Sequence, residues 1–236
     1  MKIALVLLTY NRLDFVKRAV SHNFKNSGYT ISEIIWVDNN STDGTREFME
    51  KWLEDMGTKY KKVLHSENLG VAKGYNSAYE LLDDEIDFVA RPGTDMLMPD
   101  DWLRIMVEFA VTIRDTGIIG MISEGYKDHL EKRALGPEKI VNGKKIRPAK
   151  TLGSILFNAK IIKDKIFLPT DQGLYGFSDS KWDKKVRDAS YLNYYIDGIV
   201  KDFIKEELEK YPNYVNWKHD QVMAYQEQHP DIPLDI

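Results

Sequence analysis

The strongest constraint on this chain is the regular alternation, through its first hundred residues, of short apolar runs with segments of helical periodicity. That pattern is expected of βαβ units and a mostly parallel sheet. Strands are predicted at residues 3–8, 34–37, 62–64 and 87–90, and helices at 14–24, 45–56 and 71–82. The second helix is read from Phe48, Trp52, Leu53 and Met56, which recur at helical spacing. A helix at 102–114 and a strand at 118–122 follow, and then the pattern changes. Residues 125–150 are polar, rich in Lys and Gly and weakly periodic, as a hairpin or an active-site loop would be. The last third carries a strand at 152–157, a Gly/Asp-rich turn at 170–176, a helix at 180–189 and an amphipathic run at 199–208. Without an internal repeat or low-complexity linker, two lobes sharing one sheet fit the pattern better than two independent domains.

Composition narrows the function classes. With 236 residues, 43% of them hydrophobic, the chain can bury a sizeable core. The 33 basic and 37 acidic side chains leave a formal charge of −4, so no global positive field draws it to nucleic acid or anionic lipid. The absence of cysteine removes disulfides, thiolate nucleophiles and thiolate metal sites, and leaves a hard divalent ion bound by oxygen or His as the natural metal. The apolar opening at 3–8 is too short to span a bilayer and has no cleavage region after it, so a soluble, cytoplasmic protein is expected.

In open parallel sheets ligands bind beyond the carboxyl ends of the strands, and here those ends are polar. The first is followed by Thr9-Tyr10-Asn11-Arg12 and the second by Asp38-Asn39-Asn40-Ser41-Thr42-Asp43-Gly44. The third leads to Glu67-Asn68-Leu69-Gly70 and the fourth to Gly93-Thr94-Asp95. Any one of these loops reads equally as a turn with a helix cap, but four in succession point to a ligand. Asp38 would accept from the imide N–H of a uracil-like base while Tyr10 covers the ring. Gly70 and Gly74, with Lys73, either open the start of a helix to phosphate oxygens or merely provide close packing. Asp95 is the anionic oxygen available to a metal bridging a diphosphate, or else an ordinary turn residue.

These segments resemble the family-two glycosyltransferases of the GT-A fold. The resemblance is carried by Leu8-Thr9-Tyr10-Asn11-Arg12, by Trp36-Val37-Asp38-Asn39-Asn40-Ser41-Thr42-Asp43-Gly44-Thr45 and by Glu67-Asn68-Leu69-Gly70-Val71-Ala72-Lys73-Gly74-Tyr75-Asn76, in the family's order and spacing. It implies a Rossmann-like, mixed but mainly parallel α/β sheet flanked by helices with a smaller acceptor-side subregion, in one domain whose nucleotide-sugar-binding half is 1–115 and whose acceptor-binding half and C-terminal helices are 116–236. It further implies that Thr9, Tyr10, Asn11, Arg12 and Asp38 contact the nucleoside, and Asn40 is a further donor-binding candidate. Asn68, Lys73, Asn76 and Thr94 would then lie by the ribose or diphosphate, and Asp95 would hold a divalent metal, Mn²⁺ or Mg²⁺.

The family's Asp-x-Asp pattern is incomplete, because Gly93 stands at its first acidic position and Arg91-Pro92 replace apolar strand residues. The acceptor motif is similarly reduced: Ser178-Asp179 stands where a Glu-Asp pair is usual, leaving Asp179 as the implied general base of an inverting transfer. His219 falls where some members of the fold place a further metal ligand, whereas His22, His65, His129 and His229 have no motif support. Lys139, Lys144, Lys145, Arg147 and Lys150 lie in a stretch without an acid, suited to a polyanionic acceptor such as a polysaccharide or DNA with a hydroxylated base, and also readable as a solvated face. The expected activity is sugar transfer from a nucleoside diphosphate donor, uridine diphosphate foremost. A nucleotidyltransferase or an inactive nucleotide-sugar-binding module is the alternative.

Overall fold

The computed structural model describes residues 1–113, 115–124, 130–150, 155–171, 173–175 and 178–229. The expected helix end at Arg114, the opening of the polar stretch at 125–129 with His129, the strand start at 152–154, and Gly176 with Phe177 of the acceptor motif lie outside them.

The first half runs β1 (Ile3–Thr9), α1 (Leu13–Lys25), β2 (Glu33–Asp38), α2 (Thr45–Met56), β3 (Tyr60–Leu64), α3 (Gly70–Tyr79) and β4 (Phe88–Arg91), as the periodicity predicts. It continues through β5 (Met96–Leu97), α4 (Trp102–Thr112), β6 (Thr116–Ser123) and α5 (Leu130–Arg133). The basic stretch forms an edge hairpin, β7 (Lys139–Val141) and β8 (Lys144–Pro148), turned at Asn142-Gly143. Then come β9 (Ile155–Asn158), α6 (Lys160–Lys163), α7 (Ser178–Asp188), β10 (Leu192–Asp202), α8 (Ile204–Lys210) and α9 (Pro212–Gln228). The amphipathic run at 199–208 is thus divided: its first part completes β10, and only the second is helical.

The strands form one sheet in the order β3-β2-β1-β4-β9-β6-β10-β8-β7, with β5 paired to β10. Strands β1 to β4 are mutually parallel; β9 runs antiparallel to β4 and β6, and β10 parallel to β6. The carboxyl ends of β1, β2, β3, β4, β6 and β10 therefore open on one edge. This is a mixed, mainly parallel α/β sheet flanked by helices, as expected from the sequence.

Alternation along β1 explains why the sheet is covered on both faces. Ile3, Leu5 and Leu7 join one core with Trp36, Trp52 and Trp102, while Ala4 and Val6 join another with Tyr79, Phe157 and Trp182. The three fully buried indoles each satisfy their N–H, Trp36 on Thr9 Oγ1 at 2.9 Å, Trp102 on the Asn23 carbonyl at 2.9 Å and Trp182 on the Ile166 carbonyl at 2.8 Å. Among the described residues no helix is long and apolar enough to cross a membrane.

Candidate active site at the strand carboxyl ends

The cavity at this edge is built from all four loops that the sequence singles out. Leu8, Thr9, Tyr10 and Arg12 follow β1, Asn39 follows β2, Asn68, Gly70, Val71 and Tyr75 belong to the β3–α3 turn, and Gly93, Thr94 and Asp95 follow β4. Leu174 and Tyr175 close one side. Tyr214, Trp217 and Lys218 of α9 lie across the top, which the sequence pattern does not anticipate. Tyr10 sits 6.4 Å from Tyr214 and 6.3 Å from Trp217, ring centre to ring centre, and Tyr214 stacks on Trp217 at 5.5 Å. The cavity holds about 120 Å³ and is partly open to solvent; this is below the roughly 300–1,000 Å³ of small-molecule pockets, so a whole nucleotide would extend beyond it.

Of the predicted contact residues, Thr9, Tyr10, Arg12, Asn68, Thr94 and Asp95 line the cavity; the others do not. Asp38 is fully buried and already accepts four hydrogen bonds: from Thr9 Oγ1 at 2.8 Å, the Ser41 amide at 2.8 Å, Ser41 Oγ at 2.5 Å and Arg46 Nε at 2.5 Å. It braces the β1 and β2 loops. Asn11 does the same, accepting the Thr42 amide at 2.7 Å while its own N–H donates to Ser41 Oγ at 2.8 Å. Asn40 turns the chain in a left-handed conformation with φ 66°. Asn76 spends both ends of its amide on the Leu168 backbone, at 2.9 and 3.0 Å, and Lys73 is exposed on α3. The start of α3 is likewise occupied: Asn68 Oδ1 accepts the Gly70 amide at 2.9 Å, and the Leu174 carbonyl accepts that of Val71 at 3.0 Å.

The residue that replaces Asp38 at the cavity is its neighbour. Asn39 Nδ2 donates to the Gly70 carbonyl at 3.0 Å, which fixes the amide and leaves Oδ1 buried with no partner among the described residues. A second buried atom without a partner among them, Arg12 Nε, is on a residue of the same lining. One is an acceptor and the other a donor, and a ligand with a ring N–H at one end and an anion at the other would satisfy both.

Around Arg12 the charges are paired. Its Nη1 lies 3.1 Å from Asp95 Oδ2 and also bonds Glu207 Oε1, while its guanidinium packs 4.5 Å over the Tyr214 ring. Lys218 Nζ binds Glu207 Oε2 at 2.8 Å. Burial works against the charge on Asp95, but Arg12 and Lys218 outweigh it and hold the carboxyl below its ordinary pKa. Burial likewise opposes the Arg12 charge, and Asp95, Tyr214 and Glu207 overcome it and keep that pKa above its ordinary value.

This arrangement does not fit the divalent metal implied by the resemblance. The point on which Asp95 and Glu207 converge is filled by a guanidinium, and among the described residues no group of three or more His, Asp or Glu side chains is placed to hold an ion. His219 is not in the cavity lining; it is 66% exposed on α9, with Nδ1 3.9 Å from Asp220.

Arg91 and Asp179, far apart in sequence, are brought together beside the cavity. Arg91 Nη2 donates to Asp179 Oδ1 at 2.7 Å, and its guanidinium lies 4.4 Å over Tyr75 and 5.4 Å over Trp182. Burial pushes the nearby Tyr79 hydroxyl up to about 12, an effect only partly offset by Arg91, so it stays a neutral hydrogen-bonding group. Arg91 therefore reaches the Asp179 carboxylate at the start of α7.

Residues 4–160 match the family described as Glycosyl transferase family 2. The chain belongs to that family. No curated protein matches it. Among solved structures, the mannosyltransferase PcManGT from Pyrobaculum calidifontis, in complex with GDP-Man and Mn²⁺, is similar at 18% identity and a TM-score of 0.67, over 85% of this chain and 56% of that one. S. aureus TarS 1-349 is similar at 18% identity and a TM-score of 0.61, over 85% and 58%. GalNAc-T7 with UDP, GalNAc and Mn²⁺ is similar at 8% identity and a TM-score of 0.67, over 85% and 43%. At these identities the likeness is one of fold, and the family-two chain described here spans little more than half the length of the first two.

Proposed function

We propose that this chain transfers one sugar from a nucleoside diphosphate sugar, uridine diphosphate foremost, to an acceptor hydroxyl with inversion. The observation that carries the reading is a pair of buried atoms without a hydrogen-bond partner among the described residues, Asn39 Oδ1 and Arg12 Nε, on two residues that line one cavity. The Asn39 oxygen suits a base with a ring N–H, as uracil and guanine have and adenine and cytosine lack. Tyr10, Tyr214 and Trp217 offer the ring with aromatic faces. Family membership and neighbours solved with GDP-Man or UDP support the same donor class.

In the reaction the acceptor oxygen attacks the anomeric carbon as the bond from that carbon to the diphosphate oxygen breaks. The hydroxyl proton passes to the Asp179 carboxylate, and the nucleoside diphosphate leaves with the electron pair. Arg91 holds one oxygen of Asp179, and the carboxylate remains 32% exposed, open to an incoming hydroxyl.

For the acceptor we favour a polyanion. Lys144 pairs in register with Val141 at the tip of the β7–β8 hairpin, which points toward the carboxyl end of β10 and hence toward the catalytic edge. Lys139 and Lys145 are exposed along it, the latter paired with Glu138 at 3.1 Å, and Lys150 is exposed just beyond it.

A panel of nucleotide sugars read by thermal shift tests the donor, since a ligand that binds only the folded state raises its melting temperature. Product mass analysis with the stabilising donor then tests transfer. Stabilisation by a nucleotide with no hydrolysis or transfer from any donor would leave only a binding module. No stabilisation by any nucleotide sugar would end the reading.

A further inference from the structure

We infer that the donor's diphosphate is neutralised by two side-chain cations of this chain, Arg12 and Lys218, in place of a divalent metal. The inference rests on the nucleotide-sugar reading above and concerns how the same site holds charge.

Asp95, the one carboxylate after β4 in the cavity lining, already has its counter-ion. So does Glu207, which comes in from α8 to meet the same Arg12 nitrogen. A metal entering between them would have to displace a buried guanidinium from both carboxylates. The guanidinium itself is supplied by the segment after β1 and is held from three sides: Asp95 on the β4 loop, Glu207 on α8 and the Tyr214 ring on α9.

What remains free on these cations suits phosphate. Arg12 is 8% exposed, and its Nε–H has no acceptor among the described residues although the residue lines the cavity. Lys218 also lines the cavity, 16% exposed, with Glu207 as its one ion-pair partner among the described residues and Tyr175 and Tyr214 beside its ammonium at 5.2 and 4.9 Å. An ammonium has three donors and a guanidinium five, so each can keep its carboxylate and still donate to a phosphate oxygen. Arg and Lys held in a desolvated site are effective phosphate ligands, and their charge is in place before the leaving group develops its own.

The test is isothermal titration of UDP and of GDP into the full chain, once with EDTA and once with Mn²⁺. The expected result is a Kd for the preferred nucleotide that agrees within about twofold between the two buffers, with no saturable heat when Mn²⁺ is titrated alone. Lys218→Met should weaken that Kd by about tenfold or more in both buffers, and Lys218→Arg should restore most of it. Because Arg12→Met would leave two buried carboxylates unpaired and risk unfolding, Arg12→Lys serves as the second variant. It keeps the charge, loses the Nε donor, and should weaken the nucleotide while thermal unfolding stays cooperative. A Kd that rises tenfold or more on adding EDTA and recovers with Mn²⁺ would overturn the inference and leave the nucleotide reading intact. Binding of neither nucleotide in either buffer would overturn both.

Discussion

Arg91 Nη2 and Asp179 Oδ1 lie 2.7 Å apart, with the guanidinium covered by the rings of Tyr75 and Trp182. An arginine at a strand position that would ordinarily be apolar thus fixes the carboxylate at the start of α7. Asp179→Asn is expected to lower kcat by about two orders of magnitude or more, the usual worth of a general base, with donor affinity nearly unchanged. Arg91→Met should lower kcat with a smaller effect on donor KM, and Arg91→Lys should recover part of it. Steady-state kinetics of transfer and titration of the donor measure both; wild-type turnover by Asp179→Asn would remove it from the mechanism.

If Asn39 Oδ1 accepts from the base as proposed, Asn39→Ala should weaken uridine diphosphate binding by about tenfold, the cost of one hydrogen bond lost in a buried site. Asp38→Asn is expected to act differently. It disturbs a carboxylate that accepts from Thr9, Ser41 and Arg46, and should lower the melting temperature more than it lowers affinity. Calorimetric titration alongside thermal denaturation separates the two.

Trp217 lines the cavity beside Tyr10 and Tyr214, so a nucleotide bound there is expected to change the surroundings of its indole. Of the chain's five tryptophans the other four are buried in the sheet cores. Adding the preferred nucleotide should change intrinsic fluorescence in the wild type, and Trp217→Phe should abolish most of that change. An unaltered signal in the variant would mean that the nucleotide does not change the surroundings of Trp217.

The carboxyl of Asp95 has a depressed pKa in the folded state, so between the folded and unfolded values the unfolded chain binds more protons. The stability contributed by its pairing is therefore present above the ordinary carboxylate value of about 4 and is lost as pH falls below it. Urea unfolding measured as a function of pH should show a steeper loss below about pH 4 for the wild type than for Asp95→Asn.

Gly70 has φ +80°, and a Cβ there would stand 2.5 Å from the Leu174 carbonyl oxygen and 2.6 Å from its Cα. Because both atoms are backbone and the conformation disfavours L side chains, Gly70→Ala should cost about 2 kcal/mol or more of stability. Denaturant unfolding checks it.

Much of the first half was legible because its strands are continuous apolar runs and its helices strongly periodic. The later elements were less so. The strand β10 carries Tyr194, Tyr195, Ile196, Ile199 and Val200, a β-rich composition that marks a strand, but its end runs directly into α8 and reads as one amphipathic segment. Helix α9 has Tyr225 as its buried residue, so it presents little apolar periodicity to find. In the site, Tyr10, Arg12, Thr94 and Asp95 line the cavity from the strand ends at which the sequence places them, whereas whether Asp38 or Asn39 reaches it turns on which side chain faces inward.

The sequence by itself determined the parallel α/β sheet, the edge at which its loops gather and the family to which they belong, because apolar period and loop position are local properties. Tertiary structure decided what the charges do. Arg12 meets Asp95 and Glu207, Lys218 returns from the far end of the chain to the same point, and Arg91 finds Asp179 across 88 residues. Electrostatic pairing depends on distance in space and on exclusion of water, and neither quantity is written in sequence spacing.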